Sequence, residues 1–248
     1  MTKAMLTKIA AVATLLWSMP ASACPYDFAD DYLADPNGVA DSTPAWNQAM
    51  ADEVPCLTIL GTFRFYSPPD DILHAPAIVG LSLTSSQLVR SYDGGSFIRV
   101  RGLSGGRIAH IAIVADTGTT GGLGLSLEAG PLGQASAWTF EGLSIQGWGS
   151  PFGTFSWPLH IWGDGGPLPG WRDGTIRNVT IFGHESGAMY CRSCNSVKIT
   201  GLATHGTSPK VWFSNPTHIT IAASDIQGPI QVNAGYVLMS LLGSWSYY

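Results

Sequence analysis

Residues 178–183 read NVTIFG, and the same short phrase returns along the chain: polar or small, apolar, small, apolar, often closed by glycine. It stands as FIRVRG at 97–102, HIAIVA at 110–115, GLSIQG at 142–147, SVKITG at 196–201 and HITIAA at 218–223. The leading apolar positions are Ile98, Ile111, Leu143, Val179, Val197 and Ile219. Alternating apolar and polar positions describe a strand with one buried side. The last two steps, Val179 to Val197 to Ile219, are each roughly 20 residues, and the two steps after Ile111 are longer, as insertions would make them. Such a recurrence predicts a β-solenoid whose equivalent strands stack ~4.8 Å apart.

Composition points the same way. The 248 residues are 45% hydrophobic and 12% charged, with 30 glycines that follow no G-X-Y period. That profile suits one large all-β domain and excludes a helical bundle, a disordered chain and collagen. Nine acidic residues against one basic, Arg64, lie between Asp27 and Asp71, whereas the remainder is near neutral. No nucleic-acid footprint follows from such a distribution.

The segment 1–23 reads as a signal peptide. Lys3 and Lys8 precede the apolar run IAAVATLLW (9–17), and Ala21-Ser22-Ala23 forms an A-x-A cleavage site. The run is too short for a membrane span, so the expectation is a secreted or periplasmic domain over 24–248. Cys24 as first mature residue raises a lipoprotein alternative, although Ala21 stands where a lipobox wants Leu. An oxidising compartment turns the four cysteines into candidate disulfides, and four cysteines allow three pairings. Cys24–Cys56, which would tie down the new N-terminus, and Cys191–Cys194 are favoured. A single CxxC without a second pair gives little ground for zinc or redox chemistry.

The stretch DPNGVADSTPAWNQAMADEV (35–54) carries the best helix signal, with Pro44 at a first helical position and Ala45, Trp46, Ala49 and Met50 as an apolar stripe. Together with LGTFRF (60–65), GVADSTPAW resembles the N-terminal signature of the pectin-lyase-like right-handed parallel β-helix superfamily: pectate-lyase-3-type proteins, family 28 glycosidases and phage tailspikes. The resemblance is specific over about residues 31–66 and weaker over the NVTIFG-type phrases. It implies an all-β, right-handed parallel β-helix of about seven or eight coils. It also implies a capping helix near 43–53, within an N-terminal cap region (24–66) that closes an otherwise sticky sheet end. Calcium would enter only in a lyase; DFADDYLADPNG offers carboxylates but not the spacing of a known calcium loop.

In the superfamily the sugar cleft lies beside the strand that follows the NVTIFG-type strand. At that place stand His184 and Glu185, then His205, then Asp225, and the last three are evenly spaced in the numbering. Constant offsets predict one column, with Glu185 and Asp225 ~10 Å apart, close to the ~6.5–9.5 Å of an inverting glycosidase, and His205 between them. The plain alternative is solvated turn residues. Family 28 motifs are mostly missing: Glu185-Ser186 replaces a paired aspartate, and Thr204-His205-Gly206 gives half of the histidine motif. Arg99 and Arg101, with Arg107 nearby, could meet a uronate, or be ordinary solvated arginines.

Trp148, Trp157, Trp162 and Trp171 crowd the Gly- and Pro-rich stretch 147–171. Apolar rings on such loops suit stacking on sugars, a mini-core over the solenoid's side, or a subunit interface. Three functions therefore compete: a polysaccharide hydrolase or lyase, a non-catalytic glycan-binding solenoid, and a trimeric spike of a phage or cell surface.

Overall fold

The computed structural model describes residues 24–74, 76–101, 104–128, 135–146, 153–162, 171–182, 185–235 and 237–240. Residues 1–23, read from the sequence as a signal peptide, lie outside the described residues, as do Trp148 and His184.

Three ladders of parallel strands organise the chain. The first face runs through Tyr26–Asp27, Cys56–Ile59, Ala77–Gly80, Ser104–Ala109 and Ala135–Glu141. It continues through Trp171–Arg172 with the start of Thr175–Phe182, Cys194–Asn195 with the start of Lys198–His205, Ile219–Ala222 and Val237–Ser240. The second face holds Asn37–Asp41, Gly61–Phe65, Ser86–Arg90, Ala112–Ala115, Ser144–Gln146, the ends of Thr175–Phe182 and Lys198–His205, and Asp225–Ile226. The third holds Ser96–Arg101, Leu123–Glu128, Trp157–Trp162, Met189–Arg192, Val211–Ser214 and Ile230–Asn233. The chain visits the faces in turn, so coils begin at Tyr26, Cys56, Ala77, Ser104, Ala135, Trp171, Cys194 and Ile219. Among the described residues these are eight coils of a parallel β-helix, and Val237–Ser240 opens a further one on the first face.

Helix α1 (Thr43–Ala51) is the one helix among the described residues. In chain order it takes the place of a third-face strand in the first coil. Pro44 opens it, and the Asp41 carboxylate accepts the Thr43 N–H at 3.0 Å. Its buried Trp46 stands edge-on to Phe28 and Phe65, at 6.0 and 5.8 Å, and donates from Nε1 to the Asp70 carbonyl. Among the described residues no helix is long and apolar enough to cross a membrane.

The interior is one apolar column, with Phe63, Phe65, Phe97, Trp138, Phe140, Trp171 and Phe213 all fully buried. Trp138 fits because Gly106, its partner in the coil below, has no side chain; a Cβ there would run into the ring. Both disulfides are present. Cys24–Cys56 sits on the outer side of the first face, where Cys56 joins Ala77, Val79 and Ala109 in a small cluster apart from the core. Cys191–Cys194 lies inside, joining the third face of one coil to the first face of the next.

The recurring phrase needs one correction. FIRVRG lies on the third face, SVKITG and HITIAA on the first, and HIAIVA, GLSIQG and NVTIFG on the second. Val179 therefore stacks on Leu202, not on Val197. All three faces bury alternate residues against one core, so the phrase marks a strand without saying which face it belongs to.

Candidate functional site

The alternation that buries Leu159, Ile161, Met189, Cys191, Val211 and Phe213 turns their neighbours outward on the third face. In coils five to seven these neighbours are mostly rings. Register sets His160 beside Tyr190 and Tyr190 beside Trp212. His160 stacks on Tyr190 (5.3 Å, 16°) and on Trp162 (5.6 Å, 23°), while Tyr190 meets Trp212 edge-on at 5.2 Å. Trp157 lies 5.4 Å from Tyr190 and 6.3 Å from Trp212, over Gly187, where any Cβ would strike its ring. The result is a continuous aromatic platform across three coils.

Two cations sit on this platform. The Arg192 guanidinium lies 4.6 Å from the ring centre of Trp162, and the Lys210 ammonium 4.5 Å from that of Trp212. His160 Nδ1 and Trp212 Nε1 are buried without a hydrogen-bond partner among the described residues. Burial pushes the His160 pKa down to about 4, so the imidazole is neutral at pH 7. Unpaired buried polar atoms carry a desolvation cost that a partner would relieve.

Trp157 and Trp162 therefore stand where an exposed recognition surface needs them, although as strand residues rather than on loops. Trp171 does not. It is fully buried on the inner side of the first face, 5.9 Å from Phe140, so the expectation that it binds substrate is corrected. A two-residue strand places it in register with Ala135 and Cys194, and the inward phase follows. Reasoning from the sequence missed His160, Tyr190, Trp212, Arg192 and Lys210. The signal lay in WPLHIW, MYCR and KVWFS, where His160, Trp162, Tyr190, Arg192, Lys210 and Trp212 share one phase.

The column of ionisable residues also changes. Phe182 pairs with His205 and Ala203 with Asp225, each a longer step along the chain than the one from Glu185 to His205. The even spacing of the three ionisable residues therefore drifts out of phase with the coils. His205 stacks on Phe182 at 5.2 Å, and Asp225 sits two positions away along the same face. Glu185 belongs to a different place, the corner between the second and third faces. Its backbone N–H donates to the Phe155 carbonyl, and its carboxylate accepts Thr154 Oγ1 at 2.6 Å and Ser156 Oγ at 3.1 Å. The Thr154 hydroxyl first, then Ser156, the Gly121 N–H and the Arg90 charge hold this carboxyl below its ordinary pKa. The register therefore does not bring Glu185, His205 and Asp225 into one file.

Arg90 is the buried charge of that corner. Its guanidinium donates to the carbonyls of Gly121 (2.6 Å), Thr154 (2.7 Å) and Gly94 (3.4 Å), in three successive coils, and lies 4.4 Å from the centre of the Phe155 ring. Arg99 and Arg101 both turn to Asp71, at 2.5 and 3.4 Å, and Arg107 pairs with Glu141 at 3.1 Å. In the acidic N-terminal stretch, Asp27, Asp31 and Asp35 accept backbone N–H groups of their own turns. Among the described residues no group of three or more His, Cys, Asp or Glu could hold a metal ion.

No protein-family profile and no curated protein matches the chain. Among solved structures it is similar to the pre-mature gene product 12 of bacteriophage phi29, with a TM-score of 0.54 and 14% identity over 88% of this chain and 33% of that one. It also resembles the A-module of mannuronan C-5 epimerase AlgE6 from Azotobacter vinelandii (TM-score 0.35, 9% identity, 89% and 97% of the two chains). A third similar structure is the catalytic unit of a thermostable GH87 alpha-1,3-glucanase from Streptomyces thermodiastaticus (TM-score 0.31, 13% identity, 92% and 70%). The chain spans a third of the phage protein's length, and the likeness is one of fold alone.

Proposed function

We propose that this chain is an exported glycan-binding β-helix protein whose third face, over coils five to seven, is the binding surface. The observation that carries this reading is the platform of Trp157, His160, Trp162, Tyr190 and Trp212, with Trp162 38% exposed. Flat apolar rings on a rigid sheet match the apolar faces of sugar rings, and a scaffold of strands holds them with little ordering cost on binding. Export is supported by the A-x-A segment and by two oxidised cysteine pairs. In this reading the coils turn right-handed and α1 closes the N-terminal end, sheltering Phe28 and Phe65 through Trp46.

Affinity electrophoresis or calorimetry of the mature chain against neutral and acidic polysaccharides tests it. Binding is expected, and Trp157→Ala and Trp212→Ala should each weaken it about tenfold, the scale of one lost stacking contact. If both variants bind as the parent does, the platform is not the binding surface.

The fold likeness to a phage protein favours a second reading, a spike or appendage of a virion or cell surface that assembles as three copies. A solution mass three times that of the chain supports it, and a monomer at micromolar concentration removes it.

A further inference from the structure

We propose that Arg192 and Lys210 are specificity determinants that make the platform selective for acidic glycans over neutral ones; this rests on the platform being a glycan surface. Each cation lies over a ring that a sugar would need: Arg192 over Trp162 and Lys210 over Trp212, at 4.6 and 4.5 Å from the ring centres. That is the distance at which a stacked partner sits, so each cation covers one face of its ring. A neutral sugar must displace the cation and gives only hydroxyls in exchange. A ligand carrying carboxylates or sulfates draws the cation off the ring into a stronger charge-assisted hydrogen bond and uncovers the ring in the same movement.

The placement supports a ligand lying across the coils. Arg192 stands opposite Ser214, and Lys210 directly precedes Val211, so the cations are four positions apart in register and one coil apart. They flank the rings at opposite edges, roughly 13 Å apart along the strands. Among the described residues the carboxylates near the platform are Glu128, one coil below Trp162, and Glu185 at the corner. Glu185 is held by Thr154 and Ser156, and Glu128 shares its register position with Arg101. Neither Arg192 nor Lys210 has a carboxylate in ion-pair contact among the described residues, in contrast to Arg99, Arg101 and Arg107.

The test compares a polyuronate with its carboxyl-reduced neutral form, and a sulfated galactan with its desulfated form, against the full mature chain. The parent is expected to bind each acidic form at least about tenfold more tightly than its neutral counterpart, the scale of one hydrogen bond to a charged group. In the Arg192→Ala, Lys210→Ala double variant that preference collapses, because acidic affinity falls while neutral affinity holds or rises. Arg192→Lys should keep most of the preference. Quenching of tryptophan fluorescence by acrylamide should increase in the double variant, since the neutral quencher reads uncovered rings whether or not glycan binds. A response on the polyuronate pair alone assigns the carboxylate; a response on both pairs assigns negative charge as such. Equal binding of acidic and neutral forms by the parent, or a preference retained by the double variant, overturns the selectivity and leaves the glycan reading standing. Binding to none of the four polymers overturns both.

Discussion

Trp157 and Trp171 are the same residue type opening two consecutive strands, yet one lies on the outer surface and the other is sealed in the core. Strand phase alone does not separate them: Trp157 shares the phase of the inward Leu159 and Ile161, yet at the corner its ring turns onto Tyr190 and Trp212 over Gly187, whereas Trp171 keeps the inward phase. Trp171→Ala should therefore lower the unfolding free energy by about 3–5 kcal/mol, as large-to-small changes in packed cores do, which urea denaturation reads directly. Trp212→Ala should cost less stability and more affinity. His160 adds a pH dependence with a definite sign. Its pKa is near 6.5 unfolded and is pushed down to about 4 by burial in the fold. The unfolded chain thus takes up a proton that the folded chain refuses, and stability falls as pH drops from about 6.5 towards 4, by at most about 3 kcal/mol. His160→Gln should flatten that slope in thermal melts across this range. A slope unchanged by the substitution would place the effect on other groups.

At the scale of a strand or corner, alternation was legible and identity of face was not. HIAIVA, GLSIQG and NVTIFG do stack on one another, because Ile113, Ile145 and Ile181 share an inward file. The spacing misled where corners differ in length: Ile145 to Ile181 is one coil with a long insertion, whereas Ile181 to Thr204 is one coil with short corners. The evenly spaced column of Glu185, His205 and Asp225 failed for that reason. Arg90 at the corner was not legible at all, since its partners are carbonyls and carry no side-chain signature. A lysine cannot reach three carbonyls with one compact ammonium as the guanidinium fork does. Arg90→Lys should therefore lower stability by about 2–3 kcal/mol in urea titrations, the scale of a lost hydrogen bond to a charged group. A near-neutral effect would show that the three-coil strut is dispensable.

For the whole molecule, the apolar composition and the recurring phrase were enough to establish a solenoid, and the plug-like stretch 31–66 led to the helix. The two disulfides were placed from the sequence, but their environments were not, and these differ. Cys24 is half-buried on the outside of the first face, whereas Cys191 and Cys194 are both fully enclosed by the core. Mild reductant on the folded chain should open Cys24–Cys56 first, with Cys191–Cys194 reduced only on unfolding, as mass mapping after alkylation would show. Cys24–Cys56 has a sequence separation of 32, so its removal by a Cys24→Ser, Cys56→Ser double variant should cost roughly 3–4 kcal/mol by the loop-closure relation. Simultaneous reduction of both bonds in the native state would mean that the core opens more readily than its packing implies.

The two-sidedness of the third-face strands also bears on how such a surface could change over generations. Inward residues such as Leu159, Ile161, Val211 and Phe213 answer to the fold, while His160, Trp162 and Trp212 answer to whatever arrives from outside. Selection for a new ligand can act on the second set without touching the first. Relatives that share this scaffold but recognise different polymers should accordingly differ at every other position of these strands, keeping the grammar of the chain while rewriting its message.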